Sequence, residues 1–203
     1  MVMHSKFNGM RRSLDATLRL KTFTSKNEYN LVVNAVRKLQ ESGFYWSTVT
    51  GDEANVLLSS EPAGTFLIRD SSDNHHFFTL SVKTESGTKN LRIQCDQCTF
   101  FLQTDPRSTQ AVPKFDCVLK LVHHYMPAKS TDSAINASVK RAYYIYSGGE
   151  KIPLILSRPL SSNVSTLQHL CRKTVNGQLE SYEKMAQLPA PIKEFLQEYD
   201  APV

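Results

Sequence analysis

An arginine at position 69 stands inside an otherwise apolar run, Gly64-Thr65-Phe66-Leu67-Ile68-Arg69, directly ahead of Asp70, Ser71 and Ser72. The Pro62-Ala63-Gly64 break and the short apolar stretch after it predict a buried strand over Thr65 to Asp70. A guanidinium inside such a strand needs an anion, because an unpaired buried charge is costly. Two sources are open. Asp70 or Asp73 could supply an internal carboxylate and make Arg69 part of a structural ion pair. Alternatively, the planar fork of Arg69 meets a phosphate bidentately, Ser71 and Ser72 donate to its remaining oxygens, and Arg92 closes the pocket.

The surrounding pattern predicts a sheet. Phe78, Leu80 and Val82 alternate with Thr79, Ser81 and Lys83, Glu85-Ser86-Gly87-Thr88 forms a turn, and Leu91 and Ile93 alternate with Asn90, Arg92 and Gln94. A three-strand meander follows, with one apolar and one polar face. Ser25 and Glu28 form a Ser-x-x-Glu capping box ahead of Leu31, Val32, Ala35, Val36 and Leu39, which predicts an amphipathic helix over 27–41. A short helix is expected from Asp52 to Ser59. Phe115, Val118, Leu119, Val122 and Tyr125 mark another that packs on the sheet. Residues 127–140 are small and polar without period and read as an insert. The runs on either side of Ser147-Gly148-Gly149-Glu150 suggest a closing hairpin, whose second strand Pro153 confines to an edge. The fold class is α+β.

Beyond Arg158-Pro159 the pattern turns helical. Asn163 is the expected cap of a helix whose face carries Val164, Leu167, Leu170, Cys171 and Val175, with Asn176-Gly177 as its stop. Leu179, Tyr182 and Met185 mark a second short helix. Ile192, Phe195, Leu196 and Tyr199 mark a third beyond Leu188-Pro189-Ala190-Pro191. Leu167 and Cys171 stand one helical turn apart. They belong either to a plain helical core or to a docking face, and a tail this short buries too little surface to stand alone. Tyr182 and Tyr199 are expected to be exposed partner contacts. Residues 1–24, with Lys6, Arg11, Arg12, Arg19 and Lys21, read as a flexible basic arm.

Lys and Arg number 24 against 19 Asp and Glu, a net charge of +5 that favours anionic partners. Because the basic residues are dispersed, charge alone does not choose between nucleic acid, a membrane surface and phosphorylated peptides. The opening residues lack the apolar stretch of a signal peptide, and no apolar run approaches the roughly 20 residues of a spanning helix. A cytoplasmic chain without membrane insertion is expected, with its 4 cysteines (Cys95, Cys98, Cys117, Cys171) reduced and mostly buried. Cys95-x-x-Cys98 with His123 and His124 imitates a zinc site but lacks a second matching pair, so no metal or cofactor is predicted. Cys171 has no positioned base, which argues against an enzyme.

Together, the Gly64–Ser72 segment, the meander after it, the Ala54-Asn55-Val56-Leu57-Leu58 helix before it and the Phe115–Tyr125 helix resemble the Src-homology 2 (SH2) family. The resemblance implies a central antiparallel sheet flanked by two helices that holds phosphotyrosine peptides. Arg69 would grip the phosphate, Ser71 and Ser72 would lie in the phosphate loop, and Arg92 would be the basic residue of the fourth strand. Where many members carry a further arginine early in the first helix, this chain has Gly51. The tail resembles a SOCS box, which implies elongin binding through Leu167 and Cys171 and cullin selection through Leu188, Pro189 and Pro191.

An SH2-like domain ahead of such a box resembles the suppressor of cytokine signalling family over nearly the whole chain. That implies a kinase inhibitory region at about 18–28 within a flexible arm at 1–26, with Leu20, Lys21, Thr22 and Phe23 blocking a Janus kinase and Phe23 as apolar anchor. It also implies an extension helix at 27–42, an SH2 domain at 43–158 and a three-helix SOCS box at 159–203. The implied partners are tyrosine-phosphorylated cytokine receptors, Janus kinases, elongins B and C and a cullin scaffold, with no nucleic acid. A phosphotyrosine adaptor without ligase recruitment remains the alternative.

Overall fold

Period-two alternation between Thr65 and Cys95 builds the centre of the molecule, a computed structural model that describes residues 18, 21–103, 111–127, 143–147, 150–178 and 186–203. The strands β1 (Thr65–Asp70), β2 (Phe78–Thr84) and β3 (Gly87–Cys95) form an antiparallel meander in which Arg69 pairs with Thr79 and Thr79 with Arg92. Phe66, Ile68, Phe78, Leu80, Val82 and Ile93 therefore share one face. Leu67, Arg69, Thr79, Ser81, Asn90 and Arg92 share the other. Further along come β4 (Phe100–Leu102), the separate hairpin of β5 (Tyr144–Ser147) and β6 (Glu150–Pro153), and the two-residue β7 (Arg158–Pro159). The main sheet runs β4-β3-β2-β1-β7, with β7 parallel to β1, so the expected antiparallel sheet carries one short parallel edge. Arg92 lies on the third of these strands. It is on the fourth only if the single bridge between Tyr45 and Ile68 is counted as a first.

Helix α1 (Lys26–Ser42) starts where the capping box places it. Ser25 Oγ accepts from the Glu28 amide at 3.1 Å, but the buried Glu28 carboxylate reaches one residue further back, to the amide and hydroxyl of Thr24 at 2.5 and 2.8 Å. Its face of Val32, Ala35, Val36 and Leu39 is buried on the apolar side of the sheet, each large side chain contributing about 1.5–3 kcal/mol. Helix α2 (Gly51–Ser59) is held by a full capping box between Thr50 and Glu53, and its Ala54 and Leu58 pack against Leu67 on the polar side of the sheet. That side is therefore polar but not solvated: Thr79 and Ser81 are buried.

Gly64 makes the turn into β1 possible. Its φ of 88° lies in the left-handed region, and an added Cβ would stand 2.0 Å from Ser157 Oγ. Helix α3 (Val118–Tyr125) begins later than its periodicity suggests. Phe115 exchanges backbone hydrogen bonds with Phe100, so it belongs to the sheet margin and only mimics a helical i, i+3 position.

The tail forms α4 (Leu167–Gln178) and α5 (Ala190–Glu198). Thr166, not Asn163, caps α4, its hydroxyl accepting from the His169 amide at 3.2 Å, and the helix continues through Asn176-Gly177. Val164 thus falls outside the helix and is exposed. Tyr199, Ala201 and Val203 run into the apolar core beside α1 and α3, and Tyr199 is fully buried, its hydroxyl donating to the Val203 carbonyl at 3.0 Å. The expectation of an exposed Tyr199 is therefore wrong, because its stripe closes on the chain's own core. The insert at 127–140, apart from its first residue, and the helix expected at Leu179, Tyr182 and Met185 lie outside the described residues. Among the described residues, no helix is long and apolar enough to cross a membrane.

Candidate phosphate-binding site

Arg69 emerges in the middle of β1 on the polar side of the sheet, with 6% of its surface exposed. Nε donates to Ser81 Oγ at 3.1 Å, Nη1 to the Asp70 carbonyl at 3.1 Å and Nη2 to Asn90 Oδ1 at 3.3 Å, while Ser81 Oγ donates to Asn90 Oδ1 at 2.6 Å. Every one of these partners is neutral. Neither carboxylate weighed from the sequence pairs with it: Asp70 points to the opposite face and accepts from the Tyr45 hydroxyl, and Asp73 takes Arg92. Among the described residues Arg69 forms no ion pair. Burial lowers its pKa against the opposing pull of Asp70, as expected for a cation held without a close counter-ion.

Gly51, the first residue of α2, faces this guanidinium, and a Cβ there would stand 3.3 Å from Nη2. A side chain at this point would crowd Arg69 at the helix start, where the peptide dipoles also favour an anion.

Ser71 and Ser72 follow β1 into a loop closed by Asp73. The Asp73 carboxylate accepts from the Ser71 hydroxyl at 3.1 Å and from the His75 and His76 amides at 2.9 and 2.8 Å, and pairs with Arg92 Nε at 3.0 Å. Burial opposes its ionisation, but the His76 ring and the two amides outweigh that and hold Asp73 well below the usual carboxylate range. Asp73 therefore occupies the Ser71 hydroxyl and Arg92 guanidinium donors that an anion in their place would take. Asp73→Asn keeps the loop's turn acceptor and removes the competing charge. It is expected to tighten phosphopeptide binding about threefold in a calorimetric titration, since a half-exposed ion pair is worth up to about 1 kcal/mol.

Arg69, Ser71, Ser72 and Arg92 line one cleft of about 460 Å³, which continues past Leu91 and Leu102 to an apolar wall of Tyr143 to Tyr146. All four residues predicted for phosphate contact are thus together, with Asp73 serving Arg92 instead of Arg69 and with Ser81 and Asn90 as supports that their sequence positions alone do not single out. Strand alternation places Ser81 and Asn90 on the correct face. Only the register, with Leu67 opposite Ser81 and Ser81 opposite Asn90, brings them to Arg69.

The remaining predicted residues lie elsewhere. Leu20 is outside the described residues. Lys21 and Phe23 lie against the chain's own surface, Phe23 stacking on Phe77 at 5.0 Å and meeting Tyr29 edge-on at 5.1 Å, and Thr22 is exposed, so the arm read as flexible is tied down at its end. Leu167 is 77% exposed and shares an outward face of α4 with Leu170, Cys171 and Val175, while His169 and Arg172 face inward and are buried. Leu188 is half-buried, and Pro189 and Pro191 are exposed at the start of α5. Of the cysteines, Cys98 and Cys171 are exposed and only Cys117 is fully buried, against the expectation of buried thiols. Among the described residues, no cluster of three or more His, Cys, Asp or Glu side chains could hold a metal ion.

A strand-borne arginine over an antiparallel sheet, with a hydroxyl-rich loop after it, is the arrangement of an SH2 domain, and the family model for the SH2 domain matches residues 44–125. The chain is 76% identical to suppressor of cytokine signaling 3 of Gallus gallus and 71% identical to that of Mus musculus, over 100% of each chain. It is 34% identical to suppressor of cytokine signaling 2 of Homo sapiens, over 83% of this chain and 80% of that one. The chain belongs to the suppressor of cytokine signalling family.

Proposed function

We propose that the chain is a non-catalytic, cytoplasmic inhibitor of cytokine signalling whose SH2 domain binds phosphotyrosine on an activated receptor. The observation that carries this is the buried Arg69 guanidinium, which opens into a cleft with neutral partners only. A folded chain tolerates such a cation where a ligand supplies the anion. Arg69, Ser72 and Arg92 contact the phosphate, Ser71 orders the loop, and the cleft toward Tyr144 receives the residues after the phosphotyrosine.

In this proposal the arm, with Leu20, Lys21, Thr22 and Phe23, inhibits the receptor's Janus kinase in the manner of a substrate that cannot react. Residues 159–203 act as a SOCS box that makes the chain the recognition subunit of a ubiquitin ligase. What supports the second half is the inverted character of α4. Its apolar residues Leu167, Leu170, Cys171 and Val175 face outward while its polar His169 and Arg172 are buried, which suits a helix that completes its burial against elongins B and C. Leu188, Pro189 and Pro191 are then available to a cullin. A single polar substitution at the centre of such a face typically costs 2 kcal/mol or more. Leu167→Asp and Cys171→Asp should each therefore lower copurification with coexpressed elongins B and C at least tenfold. Unchanged recovery of the elongins would reduce the chain to a phosphotyrosine adaptor.

A further inference from the structure

Where α4 meets α1 and the end of α5, it buries His169 and Arg172, which are 4% and 6% exposed. Neither ring nitrogen of His169, nor Nε and Nη1 of Arg172, has a hydrogen-bond partner among the described residues. Buried nitrogens without partners are costly and native chains keep few of them, so a contact that gathers four is weakly held. The charged and titratable groups around the His169 ring leave no acceptor for a second proton. Arg172 and Lys173 stand beside it on α4, and the Tyr199 ring meets it edge-on at 4.6 Å. The carboxylates of the facing elements are committed to other cations: Glu41 of α1 to Arg172 at 3.2 Å, Glu198 of α5 to Arg37 at 2.6 Å, and Asp200 to Lys38 and Lys120. Burial, with Lys173 and Arg172 adding to it, lowers the pKa of His169 from the ordinary 6.5 to about 4. Such a group supports the docked tail above pH 6.5 and withdraws that support as the pH falls toward 4, because the undocked imidazole takes a proton that the docked one refuses. A pivot stands just ahead of the helix. The Ser162 amide donates to the Gly43 carbonyl at 2.6 Å, and residues 163–166 form no regular element, with Val164 96% exposed.

We propose that the contact of α4 with α1 and α5 is an acid-released latch with His169 as its trigger. Neutral, His169 lies against Tyr199 and the tail helix stays docked. Protonated, it drives α4 off this surface about the pivot after Ser162, while the sheet and the Arg69 cleft stay folded. Acid thereby moves whatever the outward face of α4 carries relative to the cleft, a property that needs neither the phosphotyrosine nor the elongin reading.

Amide hydrogen exchange of the full chain, as wild type and as His169→Phe, tests the latch once the intrinsic chemical rate is divided out. One proton taken up only on release makes the opening of the α4 amides rise about tenfold between about pH 7.5 and about pH 5.5 in the wild type, while the amides of β2 keep their protection. His169→Phe keeps an aromatic ring against Tyr199 and cannot be protonated, so its α4 opening should not change with pH. No rise in the wild type, or an equal rise in His169→Phe, overturns the proposal. An equal rise in β2 does so too, because it marks general acid unfolding. Should His169→Phe melt early, the titration of the His169 imidazole resonances in the wild type decides. A midpoint near the ordinary 6.5 overturns the latch, and a midpoint well below it, with the α4 rise present, upholds it.

Discussion

Arg69→Lys is expected to weaken binding of a phosphotyrosine peptide by about 100-fold, because an ammonium cannot reproduce the two parallel hydrogen bonds of a guanidinium on a phosphate. The fold should survive, since Ser81 and Asn90 already bond to each other at 2.6 Å and are not stranded by the change. Arg69→Met sharpens the test. A structural ion-pair partner, once removed, leaves a buried carboxylate unpaired and costs about 3–5 kcal/mol. Arg69 has no such partner among the described residues, and burial already lowers its pKa. Arg69→Met should therefore leave the melting midpoint unchanged or raise it while binding is lost, and a midpoint lowered by the full ion-pair cost would contradict the assignment.

Tyr199→Ala is expected to destabilise the chain by about 3–5 kcal/mol, the usual cost of removing a buried aromatic side chain. Tyr199 is the largest fully buried side chain among the described residues. His169 packs edge-on against its ring at 4.6 Å, and Asn176 donates to its carbonyl. Around it the tail is pinned to the rest of the molecule: Arg37 pairs with Glu198 at 2.6 Å, Arg172 with Glu41 at 3.2 Å, and Asp200 with Lys38 and Lys120. Most of these pairs are half-exposed and contribute little singly, so the aromatic core term dominates. Chemical denaturation of Tyr199→Ala beside Tyr199→Phe separates the two parts. Tyr199→Phe loses only the hydrogen bond to Val203, about 1 kcal/mol. A Tyr199→Ala cost below about 1 kcal/mol would mean that the tail is not docked on the core in solution.

Much of the fold is written in strand and helix periodicity. The span of β1, the alternation of β2 and β3 and the capped start of α1 follow from local chemistry, and Arg69 was visible because a charged residue in an apolar strand breaks the pattern. What was hidden depends on geometry between distant segments. Nothing in Lys21 itself signals that it will bond three carbonyls of the loop at Ser71 to His76, since backbone carbonyls carry no side-chain signature. Phe115 satisfied a helical spacing but lies opposite Phe100, and β4 was too short to show a period. The stripe of Ile192, Phe195, Leu196 and Tyr199 announced an apolar face without saying whether a partner or the chain's own core would cover it. In the structure Ile192 remains 46% exposed while Leu196 and Tyr199 are buried.

Whether the Arg69 cleft recognises phosphotyrosine is decided by calorimetric titration of the purified chain with a cytokine-receptor peptide and its unphosphorylated twin. The arrangement of Arg69, Ser72 and Arg92 predicts tight binding of the phosphorylated peptide and at least 100-fold weaker binding of the other, since the charge-assisted bonds to the phosphate supply most of the affinity. Equal affinity for both, across several receptor sequences, would contradict it and make Arg69 a structural residue.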